Sequence, residues 1–117
     1  MGAKRIVPDF HAPDPQASRR FYEEVIGLET VMDQGWIVTL AATGSATPQI
    51  SLVSRDATAP VDADVSIEVE DVDEVHAKAM EFGSEIVHPL TDEPWGVRRF
   101  FVRGPDGQVV NVLEHKS

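Results

Sequence analysis

The sequence contains no cysteine, which excludes disulfide bonds, thiol nucleophiles and cysteine-based metal sites. It also has no run of about eighteen consecutive apolar residues, so no membrane-spanning helix is predicted. The chain starts Met1-Gly2-Ala3 and runs directly into a predicted strand, without the apolar segment of a signal peptide. We therefore expect a cytoplasmic protein without a membrane partner.

Basic residues are scarce, with 10 Lys and Arg against 20 Asp and Glu and a formal net charge of −10. Nucleic-acid binding needs a basic surface, so this balance argues against such a partner. The segment from Asp56 to Glu93 holds many acids and a single base, Lys78. Two interpretations of this stretch remain open, namely solubility and the attraction of a cationic ligand.

The length of 117 residues predicts one domain. In the first half, Asp14-Pro15 is typical of a helix start, and Gly27 of a helix end. The predicted strands flank this helix, and a flexible loop is expected at residues 43–48. These strands are Arg5–His11, Leu28–Met32, Trp36–Ala41 and Gln49–Val53.

The second half repeats the same order of elements. Asp71 is expected to cap a helix that places Val72, Val75, Ala79 and Phe82 at helical spacing and ends at Gly83, and His76 should lie on its solvated face. The predicted strands are Asp64–Glu70, Glu85–His88, Val97–Arg103 and Gln108–Glu114.

The two halves also correspond residue by residue. Asp14 matches Asp71, Gly27 matches Gly83, and Trp36 and Trp95 each lie beside a glycine before the third strand. This self-similarity predicts a duplicated module. Module one should span about residues 4–54, the linker 55–63 and module two 64–115, within a single domain covering 1–117.

The last hairpin carries a family resemblance. Trp95-Gly96, the Arg-x-Phe pattern that follows and the turn Pro105-Asp106-Gly107 resemble the closing hairpin of the vicinal oxygen chelate superfamily. That superfamily includes glyoxalase I, bleomycin resistance proteins, fosfomycin resistance enzymes and extradiol dioxygenases. Gly104 departs from it, since Asp is usual there. The resemblance implies an α+β fold, in which two βαβββ modules form a cup-shaped mixed sheet with helices on the convex side.

Alternation along the strands sorts residues between the two sheet faces. The apolar set Ile50, Leu52, Val65, Ile67, Val69, Val110 and Val112 should pack under the helices. The opposite face is polar, includes Val7 and Ser66, and is predicted to line the cup, with the two tryptophans at its lip. The predicted ligand-binding residues are Asp9, His11, Trp36, Gln49, Ser51, Asp64, Glu68, Trp95, Arg99, Phe101 and Asn111.

Metal-dependent members of the family place one ligand on each of strands 1, 4, 5 and 8. The resemblance assigns these positions to Val7, Ser51, Asp64 and Asn111, of which only Asp64 is a strong ligand. We therefore expect no metal and no other cofactor at these positions. A displaced metal site that uses Asp9, His11, Asp64 and Glu68 is the chemical alternative, although no paired histidines support it. His88 and His115 show no partner pattern.

The resulting prediction is a metal-independent protein that binds a small cationic or aromatic molecule, as bleomycin resistance proteins do. The alternatives are a metal-dependent, glyoxalase-like lyase or isomerase or a dioxygenase, and an accessory domain without chemistry. The partners expected are a small-molecule ligand and, because sheet edges are usually covered, a second copy of the chain in a homodimer.

Overall fold

The computed structural model describes residues 2–42 and 48–116. Apart from Pro48, the loop predicted at 43–48 lies outside these residues. The helices are α1 (Pro15–Phe21), which continues as a π-helical turn (Tyr22–Ile26), and α2 (Val72–Phe82). The strands are β1 (Ala3–His11), β2 (Glu29–Asp33), β3 (Ile37–Ala41), β4 (Gln49–Val53), β5 (Val65–Val69), β6 (Ile86–Asp92), β7 (Val97–Arg103) and β8 (Val109–His115).

The chain divides into two compact units. The first unit is Val7–Asp62, and the second is the chain from Ala63 onward together with the residues before Val7. Each unit holds one helix and its own set of paired strands. No helix in the described part of the chain is both long and apolar enough to cross a membrane.

In the first unit the strands lie in the order β2-β3-β4-β1, with β1 and β4 parallel and the other pairs antiparallel. The helical segment packs on β3 and β4. The core between them holds Val38, Leu40 and Leu52, with Tyr22 and Leu28 packed against it. The side chains that alternation predicted under the helix do lie there.

In the second unit the order is β5-β8-β7-β6, with β5 and β8 parallel. Helix α2 packs on β6, β7 and β8. Its core centres on Val69, Val72, Phe100 and Val112. Burial of each such side chain stabilises the fold by about 1.5–3 kcal/mol.

The α+β class and the repeated βαβββ order are confirmed. Both helix starts are capped as predicted, because Asp14 accepts a hydrogen bond from Ala17 N at 3.2 Å and Asp71 accepts one from Glu74 N at 3.1 Å. Gly83 ends α2 with φ of 83°, a left-handed conformation that favours glycine.

Two elements differ from the sequence prediction. The first helix is not α-helical to its end, since its last five residues form a π-helical turn. Strand β6 reaches Asp92 instead of ending at His88, and its register against β7 shifts on both sides of His88. Pro89, which has no N–H to donate to the ladder, lies in the second shift.

Two side chains of α2 also differ from the prediction. Phe82 has the helical spacing of a core residue, yet 82% of its surface is exposed. It is the last residue of α2, where the helix ends at Gly83. His76 was expected to be solvated, but its ring packs edge-on against Phe100, with the ring centroids 4.9 Å apart.

Candidate functional site

The sheet face of the first unit that points away from the helix carries a pair of hydroxyls. Asp9 pairs with Ser51 in the β1–β4 register, and Ser51 pairs with Thr39 across β3 and β4. Ser51 Oγ and Thr39 Oγ1 lie 2.7 Å apart, and both residues are buried. The hydroxyl predicted to face a ligand therefore already has a protein partner.

The other predicted residues of the first unit are more open to solvent. His11 is exposed, and its Nδ1 lies 3.8 Å from an Asp62 carboxylate oxygen. Trp36 is half-buried immediately before β3, and Gln49 is half-buried opposite Ala41. Trp36 lies next to Gly35, and its place at the lip of a cup stays a prediction.

In the second unit the corresponding face brings Ser66, Phe101 and Asn111 side by side in register. Asn111 Nδ2 donates a hydrogen bond to Ser66 Oγ at 3.0 Å. The residue is 9% exposed, and its Oδ1 has no hydrogen-bond partner among the described residues. A buried acceptor needs a donor, so this oxygen can accept a hydrogen bond from a water or a ligand.

A buried ionic cluster lies on the same face of the second unit. Arg99 Nε donates to Glu93 Oε2 at 2.6 Å, and each side chain is 4% exposed. The Nε2 atom of His88 lies 3.5 Å from the same carboxylate oxygen. His88 Nδ1 lies 2.7 Å from the carbonyl oxygen of Pro89. A carbonyl only accepts, so His88 Nδ1 carries a hydrogen.

Aromatic rings surround the arginine of this cluster. The Cζ atom of Arg99 lies 5.1 Å from the ring centroid of Trp95 and 4.9 Å from that of Phe101. The rings of His88 and Phe101 are 5.2 Å apart and tilted by 45°. The chain's own guanidinium therefore makes the cation–π contacts that a cationic ligand would seek on these rings.

The remaining acids of this face also have partners. The carboxylate of Glu68 lies 3.0 Å from Arg5 Nε, 3.0 Å from His115 Nδ1 and 4.0 Å from Lys4 Nζ. Burial raises the pKa of Glu68, but the hydrogen bond from His115 and the nearby positive charges outweigh burial and hold the pKa below its usual value. Asp64 is exposed and accepts a hydrogen bond from Val109 N at 2.8 Å.

The four positions that the family resemblance assigns to metal ligands do not supply a donor set. Val7 is buried and apolar, Ser51 is bonded to Thr39, and Asn111 offers only a neutral amide. Among the described residues, one group of three metal-capable side chains brings its ligand atoms within 4.8 Å of each other. That group, Asp71, Asp73 and Glu114, includes none of these four positions and none of the residues of the predicted displaced site.

Sequence reasoning did not identify Glu93 and His88 as members of this site. Glu93 is buried between β6 and β7, where its backbone N–H donates to Val97 O at 2.7 Å. The sequence places His88 at a strand end without a partner, whereas it lies buried inside a longer β6. The available signal was proximity, because Glu93 lies two residues before Trp95 and six before Arg99.

The duplicated βαβββ order and the polar sheet face define a class of small α+β domains. A sequence model described as the Glyoxalase/Bleomycin resistance protein/Dioxygenase superfamily matches residues 9–112. The chain belongs to this superfamily, which confirms the resemblance. No curated protein matches the chain.

Solved structures support the fold. NAD-dependent benzaldehyde dehydrogenase from Legionella pneumophila is similar with a TM-score of 0.78 at 18% identity, covering 95% of this chain and 99% of its own. A superfamily member from Vibrio splendidus 12B01 has a TM-score of 0.71 at 21% identity, with 97% and 99% covered. Methylmalonyl-CoA epimerase from Mycobacterium tuberculosis has a TM-score of 0.67 at 17% identity, with 99% and 89% covered.

Proposed function

We propose that this protein binds a small aromatic or cationic molecule without using a metal. The proposal rests first on family membership, because the superfamily includes bleomycin resistance proteins as well as enzymes. The fold alone does not distinguish between these functions, so the residues of the site must decide between them.

The observation that carries the proposal is the chemistry of the four positions assigned to metal ligands. A transition metal needs three or four nitrogen, thiolate or carboxylate donors in a defined geometry. Val7 has no donor atom, and the hydroxyl of Ser51 and the amide of Asn111 are neutral and weak. Asp64 alone offers a carboxylate, and it accepts a hydrogen bond from Val109 N. These residues favour binding over metal-dependent lyase, isomerase or dioxygenase chemistry.

The charges on the face of the second unit bear on the kind of ligand. Glu93 is paired with Arg99, and Glu68 lies beside Arg5 and His115. A cationic ligand would have to compete with these bases for the two carboxylates. An uncharged aromatic molecule would not, and the half-buried Trp95 offers it a ring for stacking. Within the proposal, the aromatic ligand is therefore favoured over the cation.

The test combines metal analysis with ligand titration. The purified protein is analysed for bound metal, and its tryptophan fluorescence is titrated with aromatic neutral, aromatic cationic and anionic compounds. We expect no stoichiometric metal and the strongest quenching by aromatic compounds. Trp95→Ala should weaken binding by about 0.5–1.5 kcal/mol, the usual contribution of an aromatic pair. Phe82→Ala, at the exposed end of α2, is the matched control.

Two outcomes would contradict the proposal. Stoichiometric metal that is lost in Asp64→Asn or Asn111→Leu would favour the metal-dependent alternative. If the wild type and Trp95→Ala bound every compound equally, the face of the second unit would not be the binding site.

We also propose a homodimer that forms through helix α1 and its π-helical continuation. Phe21 and Val25 are 52% and 68% exposed, and with Ala17 they line a shallow groove of about 330 Å³. Arg20 and Glu24 line the same groove and pair with each other at 3.1 Å. In a two-fold symmetric pair, Arg20 of one copy can face Glu24 of the other.

Light scattering at micromolar concentration should give the mass of two chains. Arg20→Glu and Glu24→Arg should each favour the monomer, and the double variant should restore the dimer because it exchanges the two charges. A wild-type protein with the mass of one chain would refute the dimer. A dimer that all three variants leave unchanged would refute this surface.

A further inference from the structure

The two units differ at one equivalent position of their strands, which is Ser51 in the first unit and Asn111 in the second. In the first unit, Ser51 on β4 has Thr39 as its register partner on β3, and the two hydroxyls are 2.7 Å apart. In the second unit, Asn111 on β8 has Phe101 as its register partner on β7. A phenylalanine ring offers no conventional hydrogen bond, so the neighbour that satisfies the first position cannot satisfy the second.

Ser66, the neighbour of Asn111 on β5, satisfies only half of its amide. Asn111 Nδ2 donates to Ser66 Oγ at 3.0 Å, and Oδ1 has no partner among the described residues. The residue is nine-tenths buried, where an acceptor without a donor is unfavourable. The chain therefore keeps on this face an acceptor that no described residue satisfies.

We infer that Asn111 Oδ1 is the recognition point for a hydrogen-bond donor on the ligand, so that the ligand is an uncharged aromatic molecule with an N–H or O–H group. This inference rests on the proposed function and assigns a chemical class to its ligand. The ring lies near Phe101, the register partner of Asn111, and the donor points at the amide oxygen. Because Asn111 Oδ1 is buried, the ligand displaces part of its cover when it binds.

Paired charges among the described residues of this face favour a neutral ligand. Arg99 and Glu93 neutralise each other at 2.6 Å, and Glu68 contacts Arg5 at 3.0 Å. A ligand charge brought to Asn111 would lose its hydration and gain only a neutral amide, which is unfavourable in a buried site. A neutral N–H or O–H group loses far less hydration free energy, and it pairs with an oxygen that no described residue satisfies.

The experiment uses two pairs of small probes that differ only in the donor hydrogen. Phenol is compared with anisole, and indole with 1-methylindole, by calorimetric titration of the full chain. We expect the donor-bearing member of each pair to bind about tenfold more tightly, which is the usual effect of satisfying one buried acceptor. Asn111→Leu should abolish this ratio, and Asn111→Asp, which keeps an acceptor oxygen, should retain it.

An independent readout does not depend on the variants folding. In the wild type, the side-chain amide resonances of Asn111 should shift with phenol and indole but not with their methylated counterparts. Equal affinities within each pair would overturn the inference, because a bound water then satisfies Oδ1, while the proposed binding function would stand. Tighter binding of the methylated member would also overturn it, because the amide would then present its N–H₂ group. If no probe bound at all, the proposed function would fail together with the inference.

Discussion

Substitution of Glu93 by glutamine tests the buried ionic cluster directly. Glu93 Oε2 lies 2.6 Å from Arg99 Nε, and both side chains are 4% exposed. Two unit charges about 4 Å apart interact by about 4 kcal/mol at the effective dielectric constant of about 20 that describes such sites. Glutamine removes this attraction to the buried Arg99 guanidinium. Loss of one partner of a buried pair costs about 3–5 kcal/mol.

The assay is denaturant unfolding of the wild type and Glu93→Gln at neutral pH. A loss of about 3–5 kcal/mol would be a large part of the 5–15 kcal/mol that holds a typical domain together. The matched control is Glu85→Gln. Glu85 pairs with Arg103 at 3.2 Å, but the two side chains are 64% and 38% exposed, so the loss should be about 1 kcal/mol or less.

A double substitution separates the loss of a charge from the loss of shape. Replacement of a whole buried pair by apolar residues is often neutral or stabilising, so Glu93→Leu with Arg99→Met should recover most of the stability that Glu93→Gln loses. If Glu93→Gln were no more destabilising than Glu85→Gln, water would reach the cluster, and the argument from a buried ion pair would be wrong.

Three further predictions concern single residues. Because the pKa of Glu68 is lowered in the folded chain, its ion pairs stabilise the fold above pH 4.5, the reference pKa, and this effect is lost as the pH falls through the lowered pKa. The loss of stability in Glu68→Gln, measured by denaturant unfolding, should therefore be complete at pH 7 and vanish in acid. A loss that does not depend on pH would contradict this prediction. Phe82→Ser should change the free energy of unfolding by about 0.5 kcal/mol or less, whereas Phe100→Ala should cost about 3–5 kcal/mol; equal losses from the two would show that Phe82 is buried in solution. The Nδ1 nitrogen of His88 should show the chemical shift of a protonated nitrogen in the folded protein, and an unprotonated shift would contradict its bond to Pro89.

Local patterns in the sequence were sufficient to predict most of the architecture. Asp14 and Asp71 cap helices because a carboxylate can bond the free N–H groups of the first turn, and this depends only on neighbours in the chain. The core residues Leu52 and Val112 were assigned correctly because alternation decides the face of a strand. The self-similarity of the two halves predicted the repeated βαβββ order, in agreement with the family resemblance.

The features that sequence reasoning missed depend on contacts across strands. The buried pairing of His88 with Glu93 follows from a β6 that runs through Pro89, a residue that normally weakens a strand prediction. The π-helical turn that begins at Tyr22 contains residues that are also common in α-helices, so its composition does not distinguish the two helix types. Phe82 has core spacing, but only the end of the helix at Gly83 shows that no surface covers it.

Each compact unit contains one of the two tryptophans, Trp36 in the first unit and Trp95 in the second. Trp36→Phe leaves fluorescence that reports only on the second unit, and Trp95→Phe leaves fluorescence that reports only on the first. If the duplicated modules melt as one cooperative body, the two emission curves will coincide along a urea gradient. If one module is less stable, the emission of its own tryptophan will shift to longer wavelength at a lower urea concentration. The order of the two transitions will then show which copy of the repeat unfolds first.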